Sequence, residues 1–532
     1  MGRTVEAQRG EPRGRRIRPV GTGGAGPLPA RGRGGETFPN DLIGLEPAGG
    51  TPDGQRLGLA VNRLRLMYPE FSASRLVTPG QRRVLTAVAV AGLGLAVLTP
   101  GTLRDMVPIL LAVPFSFIVV LRLAALWHLA ARAAGNPAGQ WVCATNGAEA
   151  PGPESHWPRY SVLIPLYHEA AVAPALLAAL AALDYPPAKL EILLITEQDD
   201  GVTRAALDDA GLARNMAVIV VPPGAPQTKP RALNYALGFA SGEMVAVYDA
   251  EDVPDPGQLK AAVMAFRAGG PNLACVQARL DIYNPADSFF TRQFTLEYAA
   301  LFAAILPALQ RFGLPLPLSG TSNHFPRAML EEAGAWDPFN VTEDADLGMR
   351  LARLGKQVAM LSLTTWEEAP GSARPWFSQR VRWIKGWMQT YLVHMRAPLR
   401  LLSDIGPWAF CGFQMIFGGL ILSALVHPLF YVAVAQQLLS GAWLAPPPPG
   451  WSAVLWGVCA FNVAASYIAG IALAGLAAAK HGRWWLLRSA LGLPVYWLMM
   501  SAAAYAAVFE LVRRPHHWSK TGHTGSGRET LD

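Results

Sequence analysis

Two blocks of nearly uncharged sequence bracket a middle region in which charge returns, and this partition constrains the chain more than any other feature. Val84–Thr99 and Met106–Val120, the latter running on through Arg122 to Ala130, precede the middle region. Trp408–Ala435, Trp451–Ala479 and Leu491–Leu511 follow it. Runs approaching the roughly 20 apolar residues that span a bilayer as a helix read as membrane segments. Hydrophobic residues make up 51% of the 532-residue chain and charged ones 16%, too apolar for an ordinary water-soluble enzyme. Arg82, Arg83, Arg122 and Arg132 flank the first pair of runs, which predicts a helical hairpin over 84–130 with both ends cytoplasmic. Lys480, His481, Arg483 and Arg488 mark another cytoplasmic turn, and the Pro446–Pro449 stretch a stiff loop. The region 405–512 is therefore expected to hold two or three spans plus interfacial helices, one beginning near Ser403. If all three late runs crossed, the basic tail 513–532 would emerge outside, against the charge rule. An interfacial or re-entrant Leu491–Leu511 keeps that tail cytoplasmic and is the preferred reading.

The ends of the chain add little chemistry. Residues 1–57 are rich in Gly, Arg and Pro and are expected to be disordered; 58–83 read as an amphipathic piece against the membrane surface or the middle region. Net charge is +7, with Arg concentrated in the first 35 residues and beside the apolar runs. That placement suits a membrane face and not a nucleic acid. Cys143, Cys275, Cys411 and Cys459 are far apart and form no CxxC, which argues against a disulfide framework or structural zinc and fits a reducing compartment. No secretory signal is read at the N-terminus. The expected location is the inner (plasma) membrane, multi-pass, with the middle region cytoplasmic.

Within residues 159–404, strand-length apolar runs alternate with helical ones. Tyr160–Leu166, Glu191–Thr196, Met216–Val221 and Val245–Tyr248 are predicted strands, and Ala171–Leu183 a helix. This alternation predicts an α/β domain with a mainly parallel, Rossmann-like sheet. Val245–Tyr248 runs directly into Asp249, Glu251 and Asp252. Acids at the carboxyl end of a buried strand sit where open α/β sheets bind ligands, and crowded carboxylates are relieved by a shared divalent cation. A strand ending in a solvated acidic turn is the simpler alternative. Three further strand or helix ends carry polar clusters: PLYHEA around His168, EQDDGVT with Glu197 and Asp199, and KPRALN opening with Lys229. Thr342-Glu343-Asp344 opens a helix, whose N-terminus favours an ionised Asp344 ready to accept a proton; helix capping is the alternative. Gln379, Arg382 and Trp383 lie in a segment where aromatic and basic residues alternate, which also suits an interfacial helix.

The ordered set PLYHEA, EQDDGVT, KPRALN, DAED, TED and QRVRW resembles the family 2 glycosyltransferases, in particular the processive, membrane-embedded kind typified by cellulose synthase and hyaluronan synthase. The resemblance covers residues 159–404. It implies a cytoplasmic GT-A domain between transmembrane segments, acting as an inverting, metal-dependent hexosyltransferase that uses Mg²⁺ or Mn²⁺. By the same resemblance, Asp344 is the general base, and Asp249, Glu251 and Asp252 are the metal acids. Glu251 stands where the family has Asp. The resemblance also implies that Glu197 or Asp199 faces the nucleobase, and that Lys229, Asp249, Gln379, Arg382 and Trp383 bind the nucleotide-sugar and acceptor. His168 stands where the family has Asn. Gly320–His324 resembles an acceptor-site loop, and His517, Trp518 and Lys520 a feature of the family's tail. The implied partners are a nucleotide-sugar donor, a UDP-sugar first, a polysaccharide or lipid-linked acceptor, membrane lipids and export partners. The expected reaction is polysaccharide elongation coupled to export. Transfer of one sugar to a lipid carrier and a non-catalytic export component are the alternatives. No cyclic-dinucleotide-sensing barrel is expected after the last apolar run.

Overall fold

A computed structural model describes residues 52–133, 156–441 and 450–518. The expectations for 1–51, for the Pro-rich loop, for Cys143 and for Lys520 fall outside those residues. Three helices come first: α1 (Pro52–Met67), α2 (Pro79–Leu98) and α3 (Pro100–Ala133). The α/β region follows as β1 (Tyr160–Leu166), α4 (Ala173–Ala181), β2 (Leu190–Glu197), α5 (Gly201–Ala210), β3 (Met216–Val221), α6 (Lys229–Leu237) and β4 (Met244–Val247). It continues through β5 (Val253–Pro254), α7 (Gln258–Gly269), β6 (Leu273–Ile282), α8 (Phe289–Ala300), α9 (Leu306–Arg311) and β7 (Asn323–Pro326). It closes with α10 (Arg327–Glu332), α11 (Glu343–Arg353), β8 (Gln357–Glu367) and α12 (Ala373–His394). Four long helices complete the chain: α13 (Pro398–Phe413), α14 (Gly419–Ser440), α15 (Trp451–Lys480) and α16 (Leu493–Arg513).

The strands form one sheet in the order β3-β2-β1-β4-β7-β6-β8-β5. Its first half is parallel, with Tyr160 opposite Leu190 and Met244, and Ile192 opposite Met216. β7 runs antiparallel to both β4 and β6, while β6 and β8 pair in parallel. Strands buried on both faces lose the polar alternation of a half-exposed sheet, and this explains runs such as YSVLIPL. Tyr160, Val162 and Ile164 pack with Leu176 and Leu180 of α4 and Val263 of α7. Leu163, Leu193 and Val245 face the other way, onto Leu233 of α6, Leu347 of α11 and Ala60 of α1. The amphipathic segment expected over 58–83 is thus partly α1, docked on the α/β region. Each fully buried Leu contributes on the order of 2 kcal/mol relative to exposure.

Among the described residues, four helices are long and apolar enough to cross a membrane: Leu110–Ala131, Pro398–Ser440, Trp451–Lys480 and Trp484–Arg513. The expected first arm of the hairpin, α2, is not one of them. Gln81, Arg82 and Arg83 occupy its first turns, and only Val84–Leu98 is uncharged, short of the roughly 20 residues a span requires. The Pro398–Ser440 run is bent at Gly406, whose φ of 77° breaks the helix. α16 lies lengthwise along α12 and in the same direction. Trp376 Nε1 donates to Tyr496 Oη (3.1 Å), Lys385 meets Glu510 (2.8 Å) and Gln389 donates to Pro515 O (3.1 Å). Both ends of this helix touch the α/β region. Gln293 Nε2 donates to Ser489 O (2.8 Å) before it, and His516 Nδ1 lies 2.8 Å from Phe339 O after it. The chain therefore enters and leaves α16 on the side of the α/β region.

A buried polar network fixes α11. Asp346 accepts from Arg350 Nε (2.8 Å) and contacts His394 Nε2 (3.1 Å), and all three residues are fully buried. Arg350 also donates to Ala333 O and Ala335 O, each at 2.7 Å. Burial pushes the Asp346 carboxyl up, but Arg350 and His394 outweigh it and hold the group below its ordinary value. Asp346→Ala strands the Arg350 charge and should cost ~3–5 kcal/mol, seen as a lower thermal midpoint; Asp346→Leu combined with Arg350→Met should recover most of the loss.

Candidate active site

The site forms where β4 ends and α6 and α11 begin, around Gly320. β4 delivers Asp249 just past its last residue. α6 opens with Lys229, whose Nζ pairs with Asp249 Oδ1 and donates to Gly320 O (2.7 Å). α11 brings Asp344 to the same point. A Cβ on Gly320 would lie 3.5 Å from Asp344 Oδ2, 3.5 Å from Lys229 Nζ and 4.0 Å from Asp249 Oδ2. A Cβ there would stand in ordinary van der Waals contact with all three groups, so Gly320 marks the space on which they converge.

The electrostatics follow from crowding. Asp344 is pushed up to about 6 by burial, against the pull of the Ala345 N–H, Lys229 and Arg382. The ionising effect expected from a helix N-terminus is present, since Ala345 N donates to Asp344 Oδ1 (2.8 Å), but burial exceeds it. Glu343 rises to about 7, through burial first and Asp344 second. The two carboxyls therefore titrate as a pair. Burial alone would lower Lys229, yet Asp249, Glu343 and Asp344 raise it above the ordinary lysine value. The reverse holds for Arg382, where burial wins over the same acids and lowers the guanidinium.

The other predicted residues divide. Glu251 is half-buried and acts electrostatically on Arg382, Asp252 and Glu367. Asp252 is turned inward. It is fully buried, accepts from Asp249 N (2.7 Å) and bonds the Thr321 hydroxyl. Both bonds fall on Oδ2, and that oxygen braces the acidic turn. Glu197 is likewise occupied, its Oε2 held by the fully buried Arg231 at 2.5 Å. Asp199 is exposed, within 3.4 Å of Tyr167 Oη and Gln227 Nε2, and is the member of the pair that faces outward. His168 has a φ of 55°, a backbone state that Asn and His tolerate better than most residues. Gln379 is buried and its Oε1 has no hydrogen-bond partner. Trp383 packs on Phe294 and on Arg380, whose guanidinium is 4.6 Å from its ring. The tail reaches the site as well, with Arg382 5.7 Å over Trp518 and Lys385 donating to His517 O (2.8 Å).

Three groups at the site escaped the sequence reading. Glu367, at the end of β8, is buried and driven well above its ordinary value by burial and then by Asp252, Glu251 and Asp249. Its signal was available, because TTWEE repeats the pattern of an apolar strand closing on acids. Glu343 lies inside TED but carried no role. The Arg380–Glu297 pair (2.9 and 2.7 Å) joins residues 83 apart in sequence, a separation no local pattern reveals. Among the described residues, no three His, Cys, Asp or Glu side chains are grouped as a ready-made metal cage. The upward push on Asp252 and Glu367 nonetheless marks a local excess of negative charge. Asp249 and Glu251 suit a hard cation completed by phosphate oxygens, which needs only one or two protein carboxylates.

Beneath Trp383 lies a cavity of about 340 Å³ between α3, α8, α12 and the long C-terminal helices. Glu297, Tyr298 and Arg380 line its lower end, and Ile118, Leu420 and Met500 are part of an apolar wall.

A family model described as "Glycosyltransferase like family 2" matches residues 158–386, the stretch that contains all of these site residues except the tail. The chain carries a family 2 glycosyltransferase domain. Its mainly parallel sheet with helices on both faces is the expected GT-A arrangement. The transferase domain is similar to a probable glycosyltransferase, YdaM, of Bacillus subtilis, at 27% identity over 52% of this chain and 67% of the relative. A beta-monoglucosyldiacylglycerol synthase of Synechocystis sp. is 30% identical over 45% of this chain and 50% of the relative. The cellulose synthase 1 catalytic subunit of Komagataeibacter xylinus is 26% identical over 56% of this chain and 40% of the relative. The match thus spans about two thirds of the first relative and half or less of the other two.

Lys229, together with Arg382, holds down the Glu343 and Asp344 carboxyls. In Lys229→Met the Glu343/Asp344 pair should titrate at higher pH than in the parent, measured by the carboxyl bands in infrared difference spectra.

Proposed function

We propose that the domain transfers a hexose from a nucleotide-sugar to a hydroxyl presented from the cavity under Trp383, with inversion at the anomeric carbon. The observation that carries this reading is the convergence of Asp344, Lys229 and Asp249 on the space at Gly320, with Arg382 acting on the same acids and its neighbour Trp383 lining the cavity. Asp344 takes the proton of the acceptor hydroxyl as the new bond forms, a contribution of about 10²–10⁴ in rate. Lys229 and Arg382 face the leaving diphosphate and stabilise its developing charge. Asp249 and Glu251 hold Mg²⁺ or Mn²⁺, which supplies further neutralisation of the diphosphate when bound. Asp199 faces the nucleobase end of the donor. Gln379 and Trp383 seat the acceptor sugar or headgroup.

The acceptor we infer is a membrane lipid. The cavity wall is mostly aliphatic and aromatic, which suits hydrocarbon better than a hydrated glycan. The similarity to a beta-monoglucosyldiacylglycerol synthase agrees with it. Polysaccharide elongation with export is the second reading, favoured by Trp383, Trp387, Tyr496 and Trp497 around the same cavity, since sugar rings stack on aromatic faces. Membrane placement with the transferase domain cytoplasmic belongs to both readings.

Three outcomes test the proposal. Asp344 must be ionised to act, so kcat/KM should fall as pH drops through about 6 and level off above about 7. Asp344→Asn should lose ~10²–10⁴ in kcat and abolish that acid limb; unchanged activity would remove Asp344 as the base. Membranes incubated with UDP- or GDP-sugars and Mn²⁺ should yield lipid bearing one sugar, whereas a long glycan would favour the second reading.

A further inference from the structure

The cavity contains a cation that sugar transfer as described does not use. Arg122, half-buried in α3, lines it together with Ser466, Gly470 and Trp497. Its Nη1 donates to Ser466 O (2.7 Å), and its guanidinium stands 5.2 Å from the Trp497 ring. A guanidinium has five N–H donors. Among the described residues no carboxylate pairs with Arg122. Glu297 lines the same cavity, but Arg380 already matches it. His427, also on the wall, bonds Tyr467 Oη (2.7 Å). The Arg122 charge is therefore left unmatched.

Two further observations indicate a prepared place for a ligand. Ser466 is 8% exposed, and its Oγ is buried without a hydrogen-bond partner. Gly470 lets Trp497 and Arg122 close against the α15 backbone and fixes the guanidinium in the wall, because a Cβ there would lie 2.9 Å from Trp497 and 3.1 Å from Arg122 Nη1. The depth also fits a headgroup. Ala125 and Leu129, one and two turns along α3, pack in one cluster with Leu280 and Ile282 of β6 and Phe294 of α8. Tyr496, the neighbour of Trp497, bonds Trp376 and Glu297. Arg122 thus sits near the boundary of the transferase domain, with the apolar wall rising beyond it.

We propose that Arg122 and Ser466 form the headgroup site of a phosphate-bearing lipid whose chains lie along Ile118, Leu420, Ile421 and Met500. This rests on the reading that the acceptor is a lipid, and it makes that acceptor an anionic one. The planar fork of arginine matches phosphate oxygens, and the surrounding rings limit competing water. A neutral acceptor would leave Arg122 unmatched in an apolar cavity, a placement that intramembrane charges avoid.

The test uses the full chain in detergent micelles, titrated with phosphatidylglycerol, with diacylglycerol of the same chains and with inorganic phosphate. Binding is followed by tryptophan fluorescence. The parent should prefer phosphatidylglycerol over diacylglycerol by about tenfold or more. Arg122→Gln should abolish the preference, Arg122→Lys should retain most of it, and Gly470→Leu, which crowds the guanidinium, should lose it by a separate route. Taking the ratio of two lipids within each variant removes the effect of partial misfolding. Equal binding of both lipids by the parent, a preference that survives Arg122→Gln, or equally tight binding of inorganic phosphate would overturn the proposal. An Arg122-dependent preference in a protein whose product is a long glycan would keep this site and refute the lipid-acceptor reading. Single-sugar transfer to diacylglycerol without any preference would do the opposite.

Discussion

Repulsion among carboxylates is the constraint from which the rest of the site follows. Asp249, Glu251, Asp252, Glu343, Asp344 and Glu367 reach one region from the ends of β4, α11 and β8. In a medium less polarisable than water such a group survives only if cations and N–H donors offset it. Lys229 and Arg382 supply the fixed positive charge, and Lys229 is raised by the acids it serves. Asp252 is relieved by Asp249 N–H and the Thr321 hydroxyl. Under the proposed function, Asp249 and Glu251 would meet the cation and Asp344 the acceptor proton.

That division explains which parts of the site were legible in the sequence. The motif residues that converge at Gly320 stand at strand or helix ends, so Asp249, Lys229 and Asp344 could be picked out from local pattern. Whether a given carboxylate points outward depends on a partner far away in sequence. Glu197 is withdrawn by Arg231 and Asp252 by Thr321, 34 and 69 residues distant, and no local pattern carries that information. The size of the upward push on Asp344, to about 6, was not legible for a related reason. A helix N-terminus is visible in sequence, but the degree of burial that outweighs it is set by α6, α12 and the Gly320 loop together.

The fold was readable where it is repetitive. β1 and β3 match their predicted limits, and β2 and β4 differ by a residue at their ends, because strands covered on both faces are continuous apolar runs. The antiparallel β7 and the pairing of β6 with β8 were not foreseen, since register across a sheet is a non-local property. In the apolar helices, length and hydropathy cannot distinguish a helix that crosses a bilayer from one that lies along another. α16 is long enough to cross, yet it is tied to α12 along its length and returns the chain to Phe339. The same helix places Tyr496 and Trp497 in the cavity wall.

The most direct test of this account is a structure of the full chain with Mn²⁺ and an unreactive nucleotide-sugar analogue. The account predicts the diphosphate between Lys229 and Arg382, the metal on Asp249 and Glu251, and the anomeric carbon between that metal and Asp344, with Asp252 still bonded to Thr321. A metal bound through Asp252 and Glu367 instead, or a donor sugar out of reach of Asp344, would contradict it.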